Sequence, residues 1–126
     1  MIPRLILTDS APAPVGPYSQ AVECGDLIFI SGQIAIDTKT GQVSGSTVRE
    51  QAALALKNLK AILGSQGLGT GSLVKTTVFL RDMNSFADFN EVYKQELEGA
   101  CPARSVVEVS GLPKNVLVEI EAVACR

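Results

Sequence analysis

The last strand-like segment of the chain, Val116 to Cys125, carries apolar residues on both faces, and that limits what the protein can fold into. Side chains alternate across a strand, so Val116, Val118, Ile120 and Ala122 point one way while Leu117 and Val123 point the other. Two earlier segments share the property. Ile28 and Ile30 oppose Leu27 and Phe29, and Val74, Val78 and Leu80 oppose Leu73 and Phe79. A sheet with one wet face should alternate apolar and polar residues cleanly. Strands like these need cover on both sides.

Two helices can supply cover on one side. From about Ser46 to Leu63, the residues Val48, Ala52, Ala55, Leu56, Leu59 and Leu63 recur at threes and fours, with Arg49, Glu50, Lys57 and Lys60 elsewhere on the surface. Gly64, Gly67, Gly69 and Gly71 are expected to end this helix. A second helix, capped by Asn84 or Ser85, carries the stripe Phe86, Phe89, Tyr93 and Leu97. The strands read as Leu27 to Ile30, Leu73 to Arg81, Arg104 to Ser110 and Val116 to Cys125. The last two form an expected hairpin through Gly111-Leu112-Pro113-Lys114-Asn115. Pro12, Pro14, Gly16 and Pro17 break the first twenty residues into extended or turning backbone.

The order β-β-α-β-α-β-β predicts an α+β fold: a single mixed sheet with two helices on one face. The second face is then expected to pack against another subunit.

With 126 residues and no internal repeat or linker, residues 1–126 read as a single domain. Eleven Lys and Arg against thirteen Asp and Glu leave a net charge of -2, so nothing electrostatic calls for nucleic acid or an acidic membrane as partner. There is no histidine, which removes Ser-His and Cys-His nucleophile pairs and every His-containing metal motif. Cys24, Cys101 and Cys125 form no CxxC, so no metal site is expected within one chain and a reducing compartment suits them best. The apolar run before Thr8-Asp9-Ser10 is too short for a signal peptide, and no stretch approaches the ~20 residues of a membrane span. These features predict a cytoplasmic protein.

Chemistry concentrates in the last two strands. Arg104, Val106 and Glu108 share one face of theirs, and Leu117, Glu119, Glu121 and Val123 share one face of the other. A hairpin pairing about residues 111 and 112 would bring Arg104 close to Glu119. Such a pair is either a structural ion pair on a half-buried sheet or an Arg for a substrate carboxylate with a Glu that handles a proton. By themselves, Tyr18 reads as an interface or packing residue, Ser31-Gly32 as a strand end and Asn90 as a solvated helix residue. The glycines from Gly64 to Gly71 follow no strand and make no phosphate cradle.

The motifs Gly16-Pro17-Tyr18-Ser19-Gln20, Ser31-Gly32-Gln33-Ile34, Lys75-Thr76-Thr77-Val78-Phe79, Pro102-Ala103-Arg104-Ser105 and Glu119-Ile120-Glu121-Ala122 occur together in this order. In that combination the chain resembles, over essentially its whole length, the RidA (YjgF) family of imine deaminases. The resemblance implies a chorismate-mutase-like fold and a homotrimer whose sheets face inward, with sites between subunits. It implies hydrolysis of 2-imino acids such as 2-iminobutyrate and 2-iminopropanoate, and of their enamine tautomers, to 2-keto acids and ammonia. No cofactor is implied, because the substrate arrives already activated.

Carried over by position, the site residues are Tyr18, Ser31, Gly32, Asn90, Arg104 and Glu119. Arg104 would bind the substrate carboxylate and Glu119 would handle water and proton transfer. Val106 stands where many relatives carry cysteine, which excludes thiol chemistry there but preserves any contact the family makes through the backbone at that position. Cys101 stands before Pro102, where an aromatic residue is common. Two other classes of function compete: RNA cleavage or translation inhibition, and chaperone-like protein binding.

Overall fold

The long amphipathic segment folds as expected and organises the rest. In the computed structural model, which describes residues 2–126, helix α1 runs Val48–Ser65 and buries Val48, Ala52, Ala55, Leu56, Leu59, Ile62 and Leu63. Its start is a capping box. The Thr47 side chain accepts the Glu50 amide while the Glu50 carboxylate accepts the Thr47 amide, so two otherwise unpaired donors are satisfied. Gly64 lies inside the last turn. The helix is closed by Gly67 at φ +72, with the Leu68 and Gly67 amides donating to the Leu63 and Gly64 carbonyls.

Helix α2, Phe86–Glu96, buries Phe89, Val92 and Tyr93. Ser85 stands at its start, yet neither expected cap acts as one. The Ser85 hydroxyl donates to the Asp82 carbonyl and the Asp82 carboxylate accepts the Asn84 amide, which stabilises a 3-10 turn ahead of the helix.

The strands are β1 (Arg4–Ile6), β2 (Ala21–Cys24), β3 (Leu27–Gln33), β4 (Leu73–Leu80), β5 (Ala103–Glu108) and β6 (Val118–Cys125), forming one mixed sheet in the order β1-β2-β3-β6-β4-β5. β1 falls in the stretch read as extended or turning backbone. Together β1 and β2 make a short edge too brief for periodicity to announce. Arg4 and Arg126 both donate to the Glu23 carboxylate and to Gln66, tying this edge to the end of β6 and the end of α1.

The expected hairpin of the last two strands does not form. β5 pairs in parallel with β4, and β6 inserts between β3 and β4, antiparallel to both. Residues 109–117 therefore step across the end of β4. β4, α2 and β5 make a parallel crossover unit, and β5 is left at the sheet edge.

The register divides the faces, with an irregularity between Leu73 and Lys75 that turns Leu73 into the core and leaves Val74 exposed, the reverse of the alternation expected there. Ile6, Ala21, Ile30, Ala122, Thr76 and Arg104 form one row across the sheet on the side the helices cover. On the other side, Leu5, Val22, Phe29 and Val123 stand in a row with Lys75. Leu5 is 68% exposed and Phe29 48%, with Leu27 and Val107 also exposed on this face. The open side thus carries an apolar band from Leu5 to Val123 beside the polar Lys75, Thr77, Glu119 and Glu121, and both helices lie on the other side. No helix among the described residues is long and apolar enough to cross a membrane.

Candidate active site

At the far end of β3 the strand carries one residue too many. Ile30 opposes Ala122 and Gln33 opposes Ile120, so Ser31 and Gly32 together face Glu121 across a β-bulge. The bulge pushes Gly32 toward the next residue on β6. A Cβ on Gly32 would overlap the carboxylate of Glu119, so only glycine leaves room for that group where it stands. Ser31 is held by its hydroxyl, which donates to the Ser19 carbonyl at 2.6 Å, and by its amide, which donates to the Gln20 carbonyl at 2.9 Å.

A cleft of about 500 Å³ opens over this bulge on the face without helices. Tyr18, Ser31, Gly32 and Glu119 line it, as do Gln33, Lys114 and Glu121 and an apolar wall that includes Pro12, Val15 and Ile34. Tyr18 is half exposed at the rim, its hydroxyl accepting the Val15 amide at 3.4 Å. Pro113 and Lys114 also line the cleft, from the Pro113–Asn115 turn, where Lys114 and Asn115 both take left-handed backbone (φ 55 and 57). Two such non-glycine residues in succession are strained, and such strain gathers where a loop must present a particular surface.

Glu119 is the chemically distinctive group. No donor or cation among the described residues bonds its carboxylate. Burial pushes its carboxyl above the ordinary value, and the neighbouring Glu121 carboxylate pushes it further. A carboxylate poised in this way in a cleft can accept a proton and give it back.

Arg104 lies elsewhere. It belongs to the row under the helices, at the edge strand, on the opposite face from Glu119 and two strands away. The pairing of Arg104 with Glu119 expected from a hairpin is therefore wrong for a single chain. Instead, Arg104 Nη1 donates to Asn90 Oδ1 at 2.7 Å, and the guanidinium lies 4.8 Å from the Tyr93 ring and 5.6 Å from the Phe86 ring. Tyr93 is itself fixed by a 2.7 Å hydrogen bond between its hydroxyl and that of buried Thr76. Val106 follows on the same edge, opposite Val78.

The seven residues singled out thus form two groups: Tyr18, Ser31, Gly32 and Glu119 in the cleft, and Asn90, Arg104 and Val106 along the β5 edge. Asn90, read as solvated, is the anchor of Arg104. Sequence patterns had given no sign of Tyr93 as a platform or of Lys114 as a cleft residue. Glu121 carried a signal, since it shares a strand face with Glu119.

A family profile described as Endoribonuclease L-PSP matches residues 8–126. A RutC family protein of Pyrococcus horikoshii is 50% identical over 98% of this chain and 98% of its own. The 2-iminobutanoate/2-iminopropanoate deaminase of Salmonella typhimurium is 48% identical over 98% of each chain. The crystal structure of Escherichia coli TdcF with bound serine superposes with a TM-score of 0.93 at 46% identity, covering 98% of both chains.

Proposed function

The chain belongs to the Endoribonuclease L-PSP family, the RidA (YjgF) group its motifs resemble, and on that premise we propose that it hydrolyses 2-imino acids and their enamine tautomers to 2-keto acids and ammonia. The observation that carries this reading is the unpaired Glu119 carboxylate, raised in pKa, against Gly32 in the cleft. A relative with nearly half its residues in common is named for this reaction. Another was solved with serine, whose carboxylate and nitrogen share one carbon as they do in a 2-imino acid.

The chemistry needs little beyond positioning. Water attacks the imine carbon as Glu119 takes one of its protons, giving a tetrahedral carbinolamine. The carboxylic acid so formed returns that proton to nitrogen. Glu119 then carries the carbinol O–H proton to that nitrogen, and ammonia departs with the C–N bonding pair as the oxygen closes the keto group. A carboxyl raised toward neutrality suits both halves of this exchange.

Arg104 has the fork geometry to hold the substrate carboxylate, and four of its five N–H groups are left by Asn90. It reaches a Glu119 cleft only from an adjoining copy of the chain. The exposed apolar face supplies the reason for copies to associate, and a homotrimer with sites between subunits joins the two groups of residues. Cytoplasmic removal of reactive imines released by other enzymes is the role that follows.

The family's description favours RNA cleavage as a second reading. The cleft opposes it, because Glu119 and Glu121 match Lys114 and the incoming Arg104 and leave no excess of cations to hold a phosphate backbone. The test couples a threonine dehydratase to keto-acid detection, with and without this protein, and assays the same preparation on RNA. Faster keto-acid release supports the deaminase; an unchanged rate together with RNA cleavage reverses the ranking.

A further inference from the structure

Gln20 is 1% exposed, lines the cleft and is the most fully bonded side chain there. Its Oε1 accepts the Thr8 amide at 2.7 Å, while Nε2 donates to the carbonyls of Thr8 (3.0 Å), Pro12 (2.9 Å) and Ala11 (3.3 Å). Residues 8–12 lie outside any strand or helix, so this one carboxamide does for them what a ladder does for a strand. The next residues along, Pro12, Ala13, Val15 and Tyr18, are the outer wall of the cleft. The backbone carbonyl of Gln20, meanwhile, accepts the Ser31 amide and so fixes the bulge against which Glu119 sits. One residue therefore grips both walls.

We propose that Gln20 is the positioning residue of the cleft, locking the loop of Pro12 to Tyr18 to the Ser31-Gly32 bulge so that the substrate meets a preformed wall. Gln20 touches no reacting atom in this scheme. The inference deepens the deaminase reading and rests on it for its kinetic consequence, but the lock itself is a property of the free protein. Glutamine suits the task because it offers an acceptor and two donors on one planar end, matching one amide and several carbonyls at once. A glutamate there would turn a carboxylate oxygen toward three carbonyl oxygens, and a leucine would leave the whole set unpaired.

Amide hydrogen exchange on the wild-type protein tests the lock directly. The Thr8 and Ser31 amides should be protected like strand amides, although Thr8 lies in no strand. Thr8 exchanging as fast as a solvated loop amide would overturn the proposal, whatever the enzyme's activity. Gln20→Glu and Gln20→Leu then test the consequence. A wall that only binds substrate is lost as uniform binding, so KM should rise about tenfold while kcat stays within about threefold. Equal losses in kcat and kcat/KM with KM unchanged, or unaltered kinetics in a folded variant, would overturn it. If either variant fails to fold, the other and the wild-type exchange pattern decide. A wild-type protein that releases no keto acid refutes the deaminase reading instead, and the exchange result still decides the lock.

Discussion

A half-buried carboxylate without a hydrogen-bond or ion-pair partner destabilises the fold that holds it whenever it is ionised, and among the described residues Glu119 is such a group. Because its folded pKa is raised, its contribution to stability is fullest below the ordinary glutamate value and is lost as pH rises through the raised one. Glu119→Gln escapes that loss. The variant should therefore melt higher than wild type at neutral pH, with the difference vanishing below about pH 4, while imine hydrolysis falls by on the order of a hundredfold or more. Equal melting temperatures across the pH range would show that Glu119 is not strained. In the wild type, kcat/KM should fall on the acid side at a pH above the ordinary glutamate range, since the working form is the carboxylate.

Gly32 gives a complementary test at the same scale. An added methyl meets the flexible end of Glu119 and not backbone, so the fold can adjust by moving the carboxylate. Gly32→Ala should stay folded with a little-changed melting temperature and lose on the order of a hundredfold in kcat through that displacement. Full activity in this variant would mean that the carboxylate position seen here is not the working one.

Between elements, the decisive relation is that of α2 to the β5 edge. The helix lays Phe86, Asn90 and Tyr93 over Arg104, and Thr76 on β4 anchors Tyr93 from beneath. An aromatic platform with one amide acceptor sets the plane of the guanidinium and leaves its outer edge open. Lysine keeps the charge and the contact with Tyr93 but has no planar fork. Arg104→Lys should keep the fold and the assembly size while losing about a hundredfold in imine hydrolysis. Near-normal rates in a folded variant would return Arg104 to a structural role, as one more half-exposed cation on a ring.

For the whole molecule, the opposite-face placement of Arg104 and Glu119 makes a prediction that no single-chain site could meet. If the two groups combine only across subunits of a trimer of 13.3 kDa chains, Glu119→Gln and Arg104→Lys damage different halves of each site. Co-folding the two inactive variants should restore about a quarter of the wild-type rate by random assortment in a closed ring. Sedimentation should give three chains per particle at micromolar concentration. A stable monomer, or mixed preparations as inactive as their parents, would refute the shared site.

What the residues announced and what they concealed divide along a physical line. The α1 stripe, the α2 stripe and the doubly apolar strands were legible because each is a periodicity within one short window, set by backbone geometry alone. The motifs around Tyr18, Ser31-Gly32, Arg104 and Glu119 were legible as residue types in order, and with them the family. Pairing between strands was not, because it depends on which distant segment wins each edge once the helices have taken their side. Two strands joined by a turn-rich link looked like a hairpin, yet β6 is buried on its helix side and is held between β3 and β4, where it satisfies both of its edges. That single choice moved Arg104 under the helices and left Glu119 on the open face. The bulge at Ser31-Gly32 and the inward turn of Gln20 likewise exist only against partners far along the chain. Sequence alone determined the family and the candidate residues; only the tertiary structure decided which of those candidates one chain can bring together, because strand neighbours are selected by packing across the whole sheet.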